Sequence, residues 1–483
     1  MYIKERKNLF HKPRPGSNPY LVMFILLLVV IFVAIMRDYA SGKIWPPFVP
    51  TPTPTRTVNS FLTEGDTHFQ AGNLDAAIDS YNKAILLEPD NIDVRVKLAR
   101  IQVYSSASLT TDQERRDRLA DALAVVDEAR ELAPQNADVL AIRSLVLNWS
   151  ANPALAGDRS KELRNAAEAD ALSAIQLDSN NALAKAFYAE VLIDQFKWGQ
   201  AQDYIAQARE NGEDLMDVRR VQAFVYEVLQ EYKLAIDWYQ MAIDVNPNLT
   251  FLYIRVGTLY RHLGGDVNFE TALEYFAKAA NLNSQLGIED PIPYMAIANT
   301  YIRMGEAMIA SRNAYRALGI NPFNPSTYGQ VGVIYYRARN YEGAEMVLKC
   351  AVMGCNAEES CLAREEDPCE SDISTSKLPL SDSTVVYYYI YGSVLAGLHR
   401  AGQDNRCAIA SEVFKEIREK YFDTSNEFTR TVLGIVSASE NICGITPGQV
   451  FSTPVPTQDL ISTPTPAPTE TSFVIPTFTP TSP

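Results

Sequence analysis

The feature that most constrains this chain is a recurrent spacing of small and aromatic residues that ends in a proline. In AAIDSYNKAILLEPDN (76–91), Ala77 and Ala84 lie seven residues apart, Tyr81 stands between them, and Pro89 closes the stretch. Seven residues are about two helical turns, so both alanines share one face and let another helix come close. Proline then stops the helix. The spacing returns as Ala122, Val126, Ala129, Pro134, as Ala235, Tyr239, Ala242, Pro247, and as Ala310, Ala314, Ala317, Pro322. Shorter forms are Ala167, Ala171, Ala174 and Ala272, Phe276, Ala279. A helix this short and this small-sided is marginal alone, so each must bury its face on a neighbour.

Each such helix follows another helical stretch with its own small site: Gly65, Ala99, Ala189, Ala223, Gly257, Ala298, Gly332 and Gly392. Tyr226, Tyr260, Tyr301 and Tyr335 follow three residues after four of these. The unit is a helix–turn–helix of about 34 residues, and over 58–422 it resembles the tetratricopeptide repeat. The expected fold is therefore an all-α superhelix of nine pairs: 58–91, 92–136, 137–181, 182–215, 216–249, 250–286, 291–324, 325–358 and 384–422, with 426–440 as closing helix. Insertions near 105–116 and 150–159 blur the second and third units, and the fourth lacks its proline. Stacked pairs are expected to share one continuous core. The resemblance further implies a right-handed coil whose first helices line a concave groove that takes partner peptides.

Outside the array the chemistry changes. Residues 20–36, YLVMFILLLVVIFVAIM, span roughly 25 Å as helix, enough for a bilayer core. Five basic residues precede them, while Arg37 and Lys43 follow, which predicts a single-pass signal anchor with leader 1–19 in the cytoplasm and the remainder extracytoplasmic. The poor small-x-small site YASG (39–42) argues against cleavage. Residues 46–57 and 446–483 are rich in proline and threonine and read as spacers flanking an array at 58–445, the tail being placed to contact cell wall. Such spacers suggest a bacterial envelope, in which the sequons at Asn148 and Asn248 carry no glycan. Net charge is −15, and with the first 45 residues basic the rest holds about −20. That balance disfavours nucleic acid as a partner.

All six cysteines fall in the last third, on the predicted oxidising side. Cys407 starts the second helix of the ninth pair and Cys443 follows the closing helix, about equally far from the turn near 423–425, so a hairpin brings them together. Cys350, Cys355, Cys361 and Cys369 bracket an insertion at 355–381, with their pairing open. Cys350–Cys355 is the least expected, since five residues along a helix point about 140° apart.

No catalytic constellation is present in the sequence. His11, His68, His262 and His399 are scattered, and no metalloprotease, nucleophile-elbow or phosphate-loop motif occurs. No enzyme activity, metal or cofactor is expected. The groove reading instead assigns first-helix residues: Asp66, Glu190 and Asp194 early, then Arg220, Arg261, Asn299, Arg303, Tyr336, Arg337 and Tyr389 as the peptide-binding set. Arginine and asparagine hold carboxylates and backbone, and tyrosine covers apolar side chains. The Lys/Asn/Lys/Arg set of carboxylate-clamp members of the family is not found. The expected function is a membrane-anchored scaffold for a protein or peptide partner, and the alternative is a structural envelope component without a peptide groove.

Overall fold

In the computed structural model, the described residues are 16, 18–41, 56–366, 368–369 and 372–444. Most of the leader at 1–19, the spacer at 46–57 and the tail at 446–483 lie outside them. Residues 1–56 and 57–483 form separate units. The first holds α1 (Pro19–Ala40), whose stretch 19–38 has mean hydropathy 3.0 and is long and apolar enough to cross a bilayer.

The second unit is all-α apart from one isolated bridge between Cys355 and Thr375, among the described residues. Its helices are α2 (Val58–Gln70) with α3 (Leu74–Leu87), α4 (Ile92–Ser106) with α5 (Asp112–Leu132), and α6 (Ala137–Ser150) with α8 (Ser160–Leu177), the one-turn α7 (Pro153–Ala156) lying between the last two. Then come α9 (Ala182–Asp194) with α10 (Trp198–Gly212), α11 (Met216–Val228) with α12 (Tyr232–Val245), and α13 (Thr250–Leu263) with α14 (Asp266–Leu286). The last pairs are α15 (Ile292–Met304) with α16 (Ala307–Ile320), α17 (Pro325–Arg337) with α18 (Tyr341–Val352), and α20 (Val385–Leu398) with α21 (Arg406–Lys420). The short α19 (Ala357–Ala363) sits in the insertion, and α22 (Glu427–Ile442) packs on the ninth pair.

Local chemistry explains the pairing. At Gly65 a Cβ would lie 2.7 Å from the Tyr81 ring, and at Gly392 one would lie 2.3 Å from Phe414. The small first-helix residue is the socket for the aromatic of the second helix. Asparagines after the helix-ending turns cap the next helix: Asn91, Asn136, Asn181 and Asn324 accept from backbone N–H groups of α4, α6, α9 and α17. Each of these turns thus both ends one helix and starts another.

The apolar core is not continuous, contrary to the expectation from stacking. One cluster runs from Val58 to Ala296 and a second from Met295 to Val436, meeting on α15. Asp290, in the turn before α15, is buried and accepts from Asn283 Nδ2 (2.8 Å) and from the Ile292 N–H (2.9 Å), and Thr300 is buried on α15.

The array also folds back on itself. Asn248, in the turn before α13, donates to the Gln70 carbonyl at 2.8 Å, and Asn246 donates to the Gln70 side chain at 3.2 Å. Gly72, at φ +82°, admits this approach, since a Cβ there would lie 2.1 Å from the Asn248 carbonyl oxygen. Asn321 and Asn324 donate to Thr110 Oγ1 at 3.0 and 2.5 Å. The insertion of the second pair is therefore a clasp onto the turn between the seventh and eighth.

Candidate functional site in the first-helix layer

First helices pack side by side from α4 through α6 and α9 to α11, and again from α13 through α15 and α17 to α20, and their facing residues form an inner layer. In pairs two to six this layer is filled by its own charged and aromatic side chains. Glu190 of α9 accepts from Arg220 of α11 through both guanidinium nitrogens, at 3.1 and 2.6 Å, and from Trp149 Nε1 at 3.0 Å. Arg220 is 0% exposed and lies over the rings of Tyr104 and Trp149, each centroid 5.7 Å away. Burial alone would lower the pKa of this guanidinium, but Glu190, with Tyr104 and Asp217, outweighs it and holds the group above its ordinary value. Asp217 accepts from Arg100 and from the Tyr104 hydroxyl, and Arg255 pairs with Glu227 at 3.0 Å. Asp194, four residues after Glu190, accepts from Asn148 Nδ2 at 2.8 Å. Burial and then Glu190 push its carboxyl well above the usual range.

The sequence-assigned residues therefore divide. Arg220 is not on an open surface, because its charge is satisfied inside the layer. Arg261 is likewise buried, with Nη1 donating to the Ala296 carbonyl at 3.2 Å and the guanidinium over Phe276. Tyr389 is buried in the second core, and burial pushes its hydroxyl up to about 12, with Arg337 opposing. These three positions are corrected from groove-facing to internal. Asn299, Tyr336 and Arg337 remain half-exposed and Arg303 is exposed. Arg303 donates to the Arg261 carbonyl at 3.4 Å, and Tyr336 lies against Tyr341. Asp66 is half-exposed and bound by Lys97.

Arg100, Tyr104, Asn148, Trp149 and Asp217 belong to the layer although the sequence reading does not assign them. Their register is legible: Arg100 follows Ala99 as Glu190 follows Ala189, and Tyr104 stands five beyond its small residue as Arg303 does. What the register lacks is the return of the chain that brings α11 to α4.

The cysteines form three disulfides. Cys407–Cys443 joins the start of α21 to the end of α22, with Cα atoms 5.5 Å apart. Cys361–Cys369 closes the insertion. The third is Cys350–Cys355, the pair least expected. The helical argument fails because α18 ends at Val352 and Gly354, at φ +77°, turns the chain before Cys355 bridges to Thr375. Among the described residues no group of three or more His, Cys, Asp or Glu is placed to hold a metal, and His399 pairs with Asp404 at 2.6 Å.

Comparison with known proteins follows this geometry. Residues 65–103 match the family model of the TPR repeat. No curated protein sequence matches. Solved structures that are similar include a thermophilic TPR protein of Thermus thermophilus, at 18% identity over 42% of this chain and 98% of that one, TM-score 0.33. A tetratricopeptide repeat protein of Parabacteroides merdae aligns at 16% identity over 59% and 99%, TM-score 0.34. YrrB, a TPR protein with an unusual peptide-binding site, aligns at 20% identity over 44% and 97%, TM-score 0.31. At these scores the likeness assigns no role to any residue. The described residues of the chain form an all-α array of helix pairs, and the stretch from α2 into α4 is similar to the TPR repeat.

Proposed function

We propose that this chain is a membrane-anchored extracytoplasmic scaffold that binds a partner protein on the first helices of pairs seven and eight. The observation that carries the reading is the contrast within one layer: Arg220 and Arg261 are buried, whereas Arg303 is exposed and Asn299, Tyr336 and Arg337 are half-exposed. An arginine-asparagine-tyrosine surface of this kind suits an extended segment bearing carboxylates and apolar side chains. The location is supported by two independent features. Basic residues precede α1, which orients its N-terminus inward. Three disulfides follow it, and disulfides persist in oxidising compartments.

The test uses the full chain in detergent micelles as bait for solubilised envelope from the host. Wild type is compared with Arg303→Glu/Arg337→Glu. A partner captured by the first and lost by the second, at unchanged helicity, supports the reading. Equal capture by both, or none by either, overturns it in favour of a structural envelope role. Cysteine accessibility in spheroplasts checks the topology: labelling by a membrane-impermeant maleimide after reduction is expected, and protection until lysis would place the array inside.

A further inference from the structure

The carboxylate of Asp217 occupies a site built by a distant part of the chain. Arg100 Nε donates to its Oδ1 at 3.1 Å, Arg100 Nη2 meets its Oδ2, and the Tyr104 hydroxyl donates to Oδ1. Phe69 and Tyr104 flank the guanidinium, their ring centroids 5.7 and 5.9 Å from its carbon. Donors and walls come from α2 and α4, and the acceptor from the first turn of α11, 117 residues after Arg100. A two-nitrogen guanidinium contact plus a hydroxyl between aromatic walls is the arrangement that recognises a carboxylate. Asp217 is 1% exposed in its side chain and Tyr104 is fully buried, while Arg100 keeps 25% of its side-chain surface open.

The contact also holds a fold-back that a few polar bonds close. Besides Asp217, the turns are joined by the amides of Asn246 and Asn248 on Gln70, those of Asn321 and Asn324 on Thr110, and the stacking of Tyr104 on Phe251. The layer they seal contains charged pairs and leaves buried acceptors at Gln102 Oε1, Asn148 Oδ1 and Asp194 Oδ1 without a protein partner.

We propose that Asp217 is an internal pseudo-ligand, and that the Arg100–Tyr104 site binds a carboxylate of an acidic peptide when the fold-back opens. The site is separate from Arg303 and Arg337, so its failure and that of the proposed function are distinguishable.

The probe is fluorescein-labelled octaglutamate, titrated by anisotropy against the full chain in micelles at low salt. Asp217→Ala is expected to bind at least tenfold more tightly than wild type. Asp214→Ala, which removes the same charge from an exposed position nearby, is expected to bind as wild type. Arg100→Ala in the Asp217→Ala background is expected to abolish the gain. Equal affinity of Asp217→Ala and wild type, or an equal gain in Asp214→Ala, overturns the proposal. Should Asp217→Ala lose helicity, Asn248→Ala/Thr110→Ala decides, since it removes polar bonds at both turns and leaves the buried layer intact. Backbone amides of α4 should then exchange at least tenfold faster and octaglutamate should bind more tightly. Unchanged exchange and affinity would overturn the latch.

Discussion

Pairs two to six and pairs seven to nine share one architecture but close their cores with different chemistry. In the first region the inner layer is bound by charge: Arg220 with Glu190, Arg100 with Asp217, Arg255 with Glu227. In the second, buried Tyr387, Tyr388, Tyr389 and Tyr391 of α20 fill the core, and covalent links staple its edge. The difference has a structural cause. The first region is where the chain returns, so its inner faces meet across the coil and their polar groups must find each other. The second meets that return at the turn before its eighth pair, where Asn321 and Asn324 reach Thr110, while Arg303 is exposed and Arg337 half-exposed. One repeat pattern thus yields a buried inner layer in one place and a partly exposed one in another.

The comparison breaks hardest at Arg220. Arg220→Met leaves Glu190 buried beside Asp194 with its main partner gone. Removing one member of a buried pair costs about 3–5 kcal/mol. Urea unfolding followed by Trp149 fluorescence should show that loss, and Arg220→Met/Glu190→Leu should recover most of it, because an apolar pair of similar volume is tolerated. A single variant no less stable than wild type would mean that charge does not hold this region together.

The second region should answer to cysteine instead. Cys407 and Cys443 close a loop over a sequence separation of 36 residues, which predicts a cost of about 2–4 kcal/mol for Cys407→Ser/Cys443→Ser. Hydrogen exchange should quicken in α20–α22 while Trp149, in the other core, reports unchanged stability. Cys407 and Cys443 both follow the turn at Asn321 and Asn324 that meets Thr110, so the effect should stay in the pairs beyond that clasp. Equal loosening of both regions would show that the seam at α15 does not separate them.

How much of this is legible in the chain follows from what a spacing encodes. Periodicity between neighbours carries the helix pairs, because the socket at Gly65 and the ring of Tyr81 belong to one unit. It also places Glu190 and Arg303 on the inner face. It does not carry contacts between units that are far apart in sequence. Asp217 reaches Arg100 across 117 residues, and Asn321 reaches Thr110 across 211. Neither pairing leaves a local mark, and neither does the Tyr104 ring that covers Arg220 from α4, so Arg220 reads as a groove residue although Glu190 of the neighbouring α9 holds its charge inside. Cys350–Cys355 departs from expectation for the opposite reason: a local break at Gly354 cancels the helical geometry assumed for it.

The smallest expected effect lies at Asp290, in the turn before α15. Burial pushes the Asp290 carboxyl up to about 7, against the bonds from Ile292 and Asn283. A raised carboxyl binds its proton more tightly folded than unfolded. Its stabilisation is therefore full below about pH 4, the unfolded value, and is lost as pH rises through about 7. Asp290→Asn keeps an acceptor for the Ile292 N–H but cannot titrate. Between pH 5 and 7 wild type should lose about 1 kcal/mol per pH unit relative to this variant, read as diverging thermal midpoints. Asp194, raised in the same direction, contributes equally to both proteins and cancels in the difference. Parallel midpoints across that window would mean that water reaches Asp290 well enough to hold an ordinary carboxylate there, and that burial does not set its charge.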